Sequence, residues 1–341
     1  MGEPVSSSVT GGKGHGRRTA ILVLTNLVSL ACLIWAVHGL PLSDVREDIQ
    51  HLDWRWIGVA AVSDVIVYFF QGWRWALLLD PITPVPVLQT TRAIFVGLFA
   101  NEILPFRSGE VIRCYLQSVW SGIPLSVTLA SFLIERIFDG VWLVLCLAAM
   151  QRWVGLPRDM VFGTIVLGAI VTIAAGLAAY AMYHKQHAHA VVSRSKWRKH
   201  LQVMVEDLHL IGHSRYLAQS AFVSLLFLLV QIIPFYALTQ ADGMDLSLSQ
   251  VAVLTAIMRL SAAVPQAPGN LGGFQAFMLL ALRPLGFEGQ LAKSFSLIAW
   301  VAITLPLLIV GFVAVAISGA RLTELQRDAH ASIGAGRGAI H

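Results

Sequence analysis

The sequence predicts an all-α polytopic membrane protein of about six full transmembrane helices and two opposed re-entrant helical hairpins. Three observations predict it. The 341 residues are 56% hydrophobic and 13% charged, with a mean hydropathy of +0.70, whereas a soluble domain carries about a quarter charged residues. Apolar runs recur along the chain, each close to the ~20 residues that a helix needs to cross a bilayer. Two further apolar segments are interrupted by polar stretches that contain Pro and Gly, at Asn101–Arg113 and Pro265–Gly273. Broken backbone is tolerated at membrane depth only where protein or a cavity satisfies it.

In chain order, residues 1–16 are Gly/Ser-rich and are expected to be a disordered cytoplasmic tail. A single transmembrane domain is expected over residues 17–320, followed by a cytoplasmic tail over 321–341. The first span, Thr19–Gly39, follows Arg17 and Arg18 and has no small-residue cleavage site, so it reads as a retained span. The second, Trp54–Leu79, opens on the interfacial residues Trp54 and Trp56 and ends at Asp80–Pro81. It carries Asp64, Tyr68, Gln71 and Trp75 at helical spacing, which makes a polar stripe on one face. Further spans are expected at Val127–Met150, Met160–Tyr183, Tyr216–Thr239 and Lys293–Ser318. Gly168 and Gly176 are expected to serve close helix packing in the fourth of these six.

Charge placement orients the spans. Of the 24 Lys and Arg residues, twelve lie in the N-terminal tail, the 183–216 loop and the C-terminal tail, against six in the intervening loops. The richer group belongs on the cytoplasmic side. Parity is then kept if residues 87–120 enter and leave from that side, and residues 250–282 from the opposite side. Paired interrupted segments in two halves point to a translocation site near the membrane midplane. The net charge of +5 is therefore a topology signal, and no nucleic-acid partner is expected. Cys32, Cys114 and Cys146 have neither disulfide-framework nor zinc spacing. His184, His187, His189 and His200 of the 183–216 loop are read without a carboxylate or cysteine at ligand spacing, so no metal or other cofactor is expected.

The remaining six basic residues are all arginine: Arg74, Arg92, Arg107, Arg113, Arg136 and Arg259. They share membrane depth with Asp64, Glu102, Glu110, Glu135 and Asp139. Mutual pairing that holds helices together is one reading. The other is an anion site, because the planar guanidinium fork matches phosphate or carboxylate. Arg107 and Arg113 each lie three residues from Glu110, which can order either one. Glu135, Arg136 and Asp139 form either a structural network or a pocket wall. The turn through Pro265, Pro268, Gly269, Gly272 and Gly273 either offers free backbone N–H groups to an anion or packs closely against the opposing hairpin. No G-x-x-x-x-G-K-[ST] motif occurs, so any driving force is expected to be a gradient or downhill lipid flux. Since nothing supplies a nucleophile or metal, an enzyme is not expected.

Three motifs carry a family resemblance: N-x-x-L-P-x-R-x-G-E-x-x-R at Asn101–Arg113, E-R-x-x-D at Glu135–Asp139, and P-x-x-P-G-x-L-G at Pro265–Gly272. Over nearly all of its length between the tails, the chain resembles the transmembrane region of lysylphosphatidylglycerol synthases, the flippase-like membrane proteins. The resemblance implies binding or transbilayer movement of an amphiphilic lipid. In fused members a cytosolic aminoacyl-transferase domain follows; here the chain stops soon after the last span and is expected to lack it. Many members carry glutamate shortly after the G-x-L-G turn, where this chain has Gln275. Some carry arginine in the last span, near Trp300 here.

The expected substrate-binding residues are Asn101, Glu102, Pro105, Arg107, Gly109, Glu110, Arg113, Glu135, Arg136, Asp139, Arg259, Pro265, Pro268, Gly269, Gly272, Gly273 and Gln275. The expected partner is an anionic phospholipid or polyprenyl-phosphate-type lipid, with a homodimer or a lipid-modifying enzyme as possible protein partners. The alternatives to transport are a non-catalytic membrane partner of a lipid- or glycan-modifying system and an intramembrane enzyme acting on a lipid headgroup. The expected location is the plasma membrane (the bacterial inner membrane), with both termini cytoplasmic.

Overall fold

A computed structural model describes residues 48–104, 108–154, 158–183, 215–261 and 268–338, together with Ile34. Within these residues every regular element is helical. The elements are α1 (Trp54–Leu79), α2 (Val87–Ile103), α3 (Gly109–Ser121), α4 (Leu125–Val154), α5 (Arg158–Tyr183), α6 (Arg215–Val230), α7 (Ile232–Ala241), α8 (Leu248–Ser261), α9 (Gly273–Leu282) and α10 (Gly289–Gly338), with 3-10 turns at Pro268–Asn270 and Arg283–Leu285.

Among the described residues, four stretches are long and apolar enough to cross a membrane: Trp54–Leu79, Val161–Tyr180, Arg215–Ala241 and Gly289–Gly319. Helix α4 has 30 residues, about 45 Å at 1.5 Å per residue, and so has the length of a span. It carries three charged residues, Glu135, Arg136 and Asp139, in its N-terminal half. The expected span Thr19–Gly39, the 183–216 loop and its histidines lie outside the described residues. The last helix runs on past its apolar part to Gly338, where a tail was expected.

The segment 87–121 is an antiparallel helical hairpin. Gln89, near the start of α2, donates to the Ser121 hydroxyl at the end of α3, 2.9 Å away. At the other end the Gly109 N–H donates to Asn101 Oδ1 at 2.8 Å. Between them the backbones touch. A Cβ on Gly97 would stand 2.7 Å from the Gly109 carbonyl oxygen, and one on Gly109 would overlap the Gly97 carbonyl. Small residues permit this approach, as they do wherever membrane helices pack closely. Helices α8 and α9 form the second pair, joined through the turn that ends at Gly272.

The two pairs enter from opposite ends of α1. The base of the first packs at the C-terminal end of α1, where Trp75, Leu79, Val85, Ile123 and Val127 share a core cluster. The base of the second lies at the N-terminal end, where Ala60 and Ile57 meet Met244, Leu246, Leu285 and Phe287. There the Asp53 N–H also donates to the Ala241 carbonyl at 3.0 Å. The tips meet between them, with Asn270 donating to Glu102 Oε1 at 3.2 Å. The opposed hairpins read from charge parity are thus present in the fold.

One packing expectation is corrected. A Cβ at Gly176 would meet nothing within 4 Å, and one at Gly168 would make only an ordinary 3.4 Å contact with Val144. The tight approach of α4 and α5 is instead at Gly140 against Val171. Helix α5 is the least enclosed of the described apolar spans, with none of its most apolar window buried, and Gly176 lies on its exposed side.

Candidate functional site

The centre of the molecule is a network of buried charge. Arg74 on α1 is fully enclosed and holds two acids of α4, with its Nε 3.1 Å from Glu135 Oε1 and its Nη1 on Asp139 Oδ1. Arg113 on α3, 2% exposed, takes the other oxygen of Glu135 at 2.7 Å and Glu110 at 2.9 Å. The i, i+3 spacing of Glu110 and Arg113 on one helix makes the latter contact available locally. Ser224 and Ser220 on α6 complete the Arg74 surroundings. The Ser224 hydroxyl accepts from the guanidinium at 3.4 Å, and Ser220 donates to the Arg74 carbonyl at 3.3 Å.

Arg136 and Arg259 are held differently. Each approaches the same oxygen, Asp139 Oδ2, at 3.4 Å, and their side chains remain 39% and 25% exposed. Rings support the guanidiniums from behind. Phe132 lies under both Arg113 and Arg136, at 5.2 and 5.1 Å, and Phe227 under both Arg74 and Arg259, at 4.8 and 5.0 Å. Trp75 adds a 4.6 Å contact to Arg113. Cation–π contacts of this kind strengthen as water is excluded.

A cavity of about 170 Å³ opens beside this network, comparable in size with an internal void able to hold a small aromatic molecule. Arg113, Arg136 and Arg259 reach its wall, as do Asn101 and Glu110 from the first hairpin and Asp64, Tyr68 and Gln71 from α1. Arg113 Nη1 and Arg136 Nε are buried and have no hydrogen-bond acceptor among the described residues. Unpaired buried donors are costly and call for an explanation. A tetrahedral or planar oxyanion in the cavity supplies one, since it accepts from several guanidinium N–H groups at once.

The structure sorts the expected residues into three places. Asn101, Glu110, Arg113, Arg136 and Arg259 line the cavity. Glu135 and Asp139 stand behind the arginines as their acid partners, and Gly109 serves the hairpin contact. Glu102, Pro268, Gly269, Gly272, Gly273 and Gln275 belong to the meeting point of the tips. There Gln275 Oε1 accepts from the Gly272 N–H at 2.7 Å, and Trp300 Nε1 donates to the Gly269 carbonyl at 2.8 Å. The two departures from the family pattern thus both brace one turn, whose Gly269 and Gly272 have φ of 73° and 80°. Pro105, Arg107 and Pro265 lie outside the described residues.

Sequence reasoning did not assign Arg74, Asp64, Tyr68, Gln71 or Gln231 to the site. The polar stripe on α1 was the signal for three of them. Arg74 lies one position before Trp75 on that stripe, so its role is visible only once α4 is packed alongside. Among the described residues no three His, Cys, Asp or Glu side chains are grouped to hold a metal ion.

A helical membrane protein with two opposed broken hairpins around a charged cavity is the class that this architecture defines. Residues 21–311 match the family described as the lysylphosphatidylglycerol synthase TM region, and the chain belongs to that family. Two similar chains, each a UPF0104 membrane protein of Methanothermobacter thermautotrophicus, are 25% and 22% identical. The alignments cover 83% and 76% of this chain, and 88% and 84% of theirs. The glycosyltransferase AglD of Haloferax volcanii is 28% identical over 36% of this chain and 20% of its own length.

Proposed function

We infer that the protein binds an anionic lipid or polyprenyl-linked molecule by its headgroup and moves it across the membrane, without itself being an enzyme. The observation that carries this reading is the pair of buried guanidinium donors, on Arg113 and Arg136, without acceptors beside a cavity. The opposed hairpins support it, since interrupted segments meeting near the midplane are the arrangement from which alternating access is built. Arg259 and Arg136 would receive the headgroup and Arg113 would orient it, while Glu110 holds Arg113. The location that goes with this function is the plasma membrane, with the basic tails and the 183–216 loop on the cytoplasmic side.

The test uses liposomes carrying fluorescent phosphatidylglycerol, with transbilayer movement read by chemical quenching of the outer leaflet. Arg259→Gln should lower the rate about tenfold or more, the loss of at least one charge-assisted contact, while insertion and thermal unfolding stay close to wild type. A fully active Arg259→Gln would remove the headgroup role.

A second reading, a non-catalytic membrane partner of a lipid- or glycan-modifying system, is favoured by the partial likeness to a protein named as a glycosyltransferase. It would be preferred if the purified protein moved no lipid but was retained by such an enzyme in detergent.

A further inference from the structure

Asp64 is the buried group that the site so far leaves without work. It lies on α1, only 8% exposed, on the wall of the same cavity as Arg113, Arg136 and Arg259. Its Oδ2 is buried with no hydrogen-bond partner, and neither oxygen has a cation among the described residues. The other described carboxylates at this depth are engaged. Glu110, Glu135 and Asp139 pair with arginine, and Glu102 accepts from Asn270.

The network's charge says what such a carboxylate can do. Among the described residues, four guanidiniums (Arg74, Arg113, Arg136, Arg259) face three carboxylates (Glu110, Glu135, Asp139), which leaves one positive charge. An ionised Asp64 cancels that charge in the empty cavity. So does an anion bound from outside. Both at once would place two negative charges in about 170 Å³, where the weak dielectric makes their repulsion large. The titratable groups facing Asp64 across the cavity are Glu110 and Arg113 on α3, Arg136 on α4 and Arg259 on α8, with Tyr68 on its own helix. Glu110 is occupied by Arg113 Nε, so Asp64 is the carboxylate able to change protonation without dismantling an ion pair.

We propose that Asp64 is a proton-binding site coupled to the anion site, taking one proton from water for each anionic headgroup that enters and giving it back when the headgroup leaves. This rests on the headgroup reading above. The step forms an O–H bond on the Asp64 carboxylate and breaks one in hydronium or buffer. A singly charged headgroup and its proton add no net charge to the cavity, so the loaded carrier reorients without moving charge through the membrane field. Linkage makes the effect reciprocal: the anion raises proton affinity at Asp64, and protons raise anion affinity.

The test is isothermal titration of dihexanoyl-phosphatidylglycerol into the purified protein in detergent, in buffers of different ionisation enthalpy. Wild type should take up about one proton per probe bound, and its affinity should fall about tenfold per pH unit where Asp64 titrates. Asp64→Asn should bind with no proton uptake and an affinity that does not change with pH. Asp64→Glu should restore both, which separates loss of the proton from loss of the fold. Proton uptake by Asp64→Asn equal to wild type overturns the proposal. So does loss of binding by Asp64→Asn at every pH, which would make Asp64 a direct hydrogen-bond acceptor for the glycerol hydroxyls of the probe.

The underlying reading fails separately, if wild type binds no probe or Arg259→Gln binds it equally well. Infrared difference spectra of the empty protein between acidic and alkaline pH then still judge Asp64. A carboxyl band lost in Asp64→Asn upholds the proton site, and an unchanged band overturns it. Inorganic phosphate is the second probe. Binding it as tightly as the lipid, with the same proton uptake, keeps the proton site and makes the cargo a free anion.

Discussion

Two sets of arginines share one network and are held in opposite ways. Arg74 is wholly enclosed, with both carboxylates of α4 on its guanidinium and α6 packed over it. Arg136 and Arg259 divide a single carboxylate oxygen between them and keep a quarter or more of their side chains open to the cavity. The difference teaches that residue type and membrane depth do not define a site. What separates a strut from a ligand-binding group is whether the guanidinium reaches the cavity: Arg74 Nη2 also lacks a partner, but Arg74 does not line the cavity, whereas Arg136 and Arg259 do.

The largest effect expected from this contrast is at Arg74. Arg74→Gln leaves Glu135 and Asp139 short of their common cation, and breaking a buried pair costs about 3–5 kcal/mol. Such a variant should unfold in detergent well below wild type, or fail to accumulate in the membrane, whereas Arg259→Gln should do neither. If Arg74→Gln were as stable as wild type while Arg259→Gln collapsed, the two roles would have to be exchanged.

An intermediate effect is expected in the first hairpin, which carries Glu110 and Arg113 to the cavity. Gly109→Ala would drive a methyl group into the Gly97 carbonyl and Asn101, and overpacking of this kind costs about 1–3 kcal/mol. The displaced α3 should weaken anion binding more than it weakens the Arg74 pairs, because Arg113 and its partner Glu110 travel with it while Arg74, Glu135 and Asp139 do not. Equal loss in binding and in thermal stability would mean that the hairpin and the strut form a single cooperative unit.

The smallest effect lies away from both sets, at Asp242, just past the end of α7. Partial burial, reinforced by the neighbouring Asp48, pushes its carboxyl up to about 7. The folded protein therefore binds this proton more tightly than the unfolded chain. The stabilisation is complete below the ordinary carboxylate range near 3.8 and is lost as pH rises through about 7. Asp242→Asn should remove that small fall in melting temperature between acidic and alkaline pH while leaving lipid movement unchanged. A transport defect in Asp242→Asn would extend the functional region to the membrane surface.

The architecture was legible because a bilayer leaves few options. A chain this apolar must satisfy its backbone in helices, and the uneven spread of Lys and Arg orients them. From that alone came the two opposed hairpins, the break within Asn101–Arg113 and the turn at Pro265–Gly273. The local pairing of Glu110 with Arg113 was readable too, since it needs only helical spacing. Gly176 was misread because small residues look alike whether they meet a neighbouring helix or the lipid.

What no stretch of sequence contains is the division of labour among the arginines. Arg74 meets Glu135 and Asp139 across more than sixty positions of chain, and Arg259 reaches Asp139 from another helix again. Local spacing decides which side chains share a face, so composition and periodicity determined the class of protein and the depth of its charges. Which charge is cancelled, and which is left facing an open cavity, depends on partners brought together by packing, and only the tertiary structure decided that.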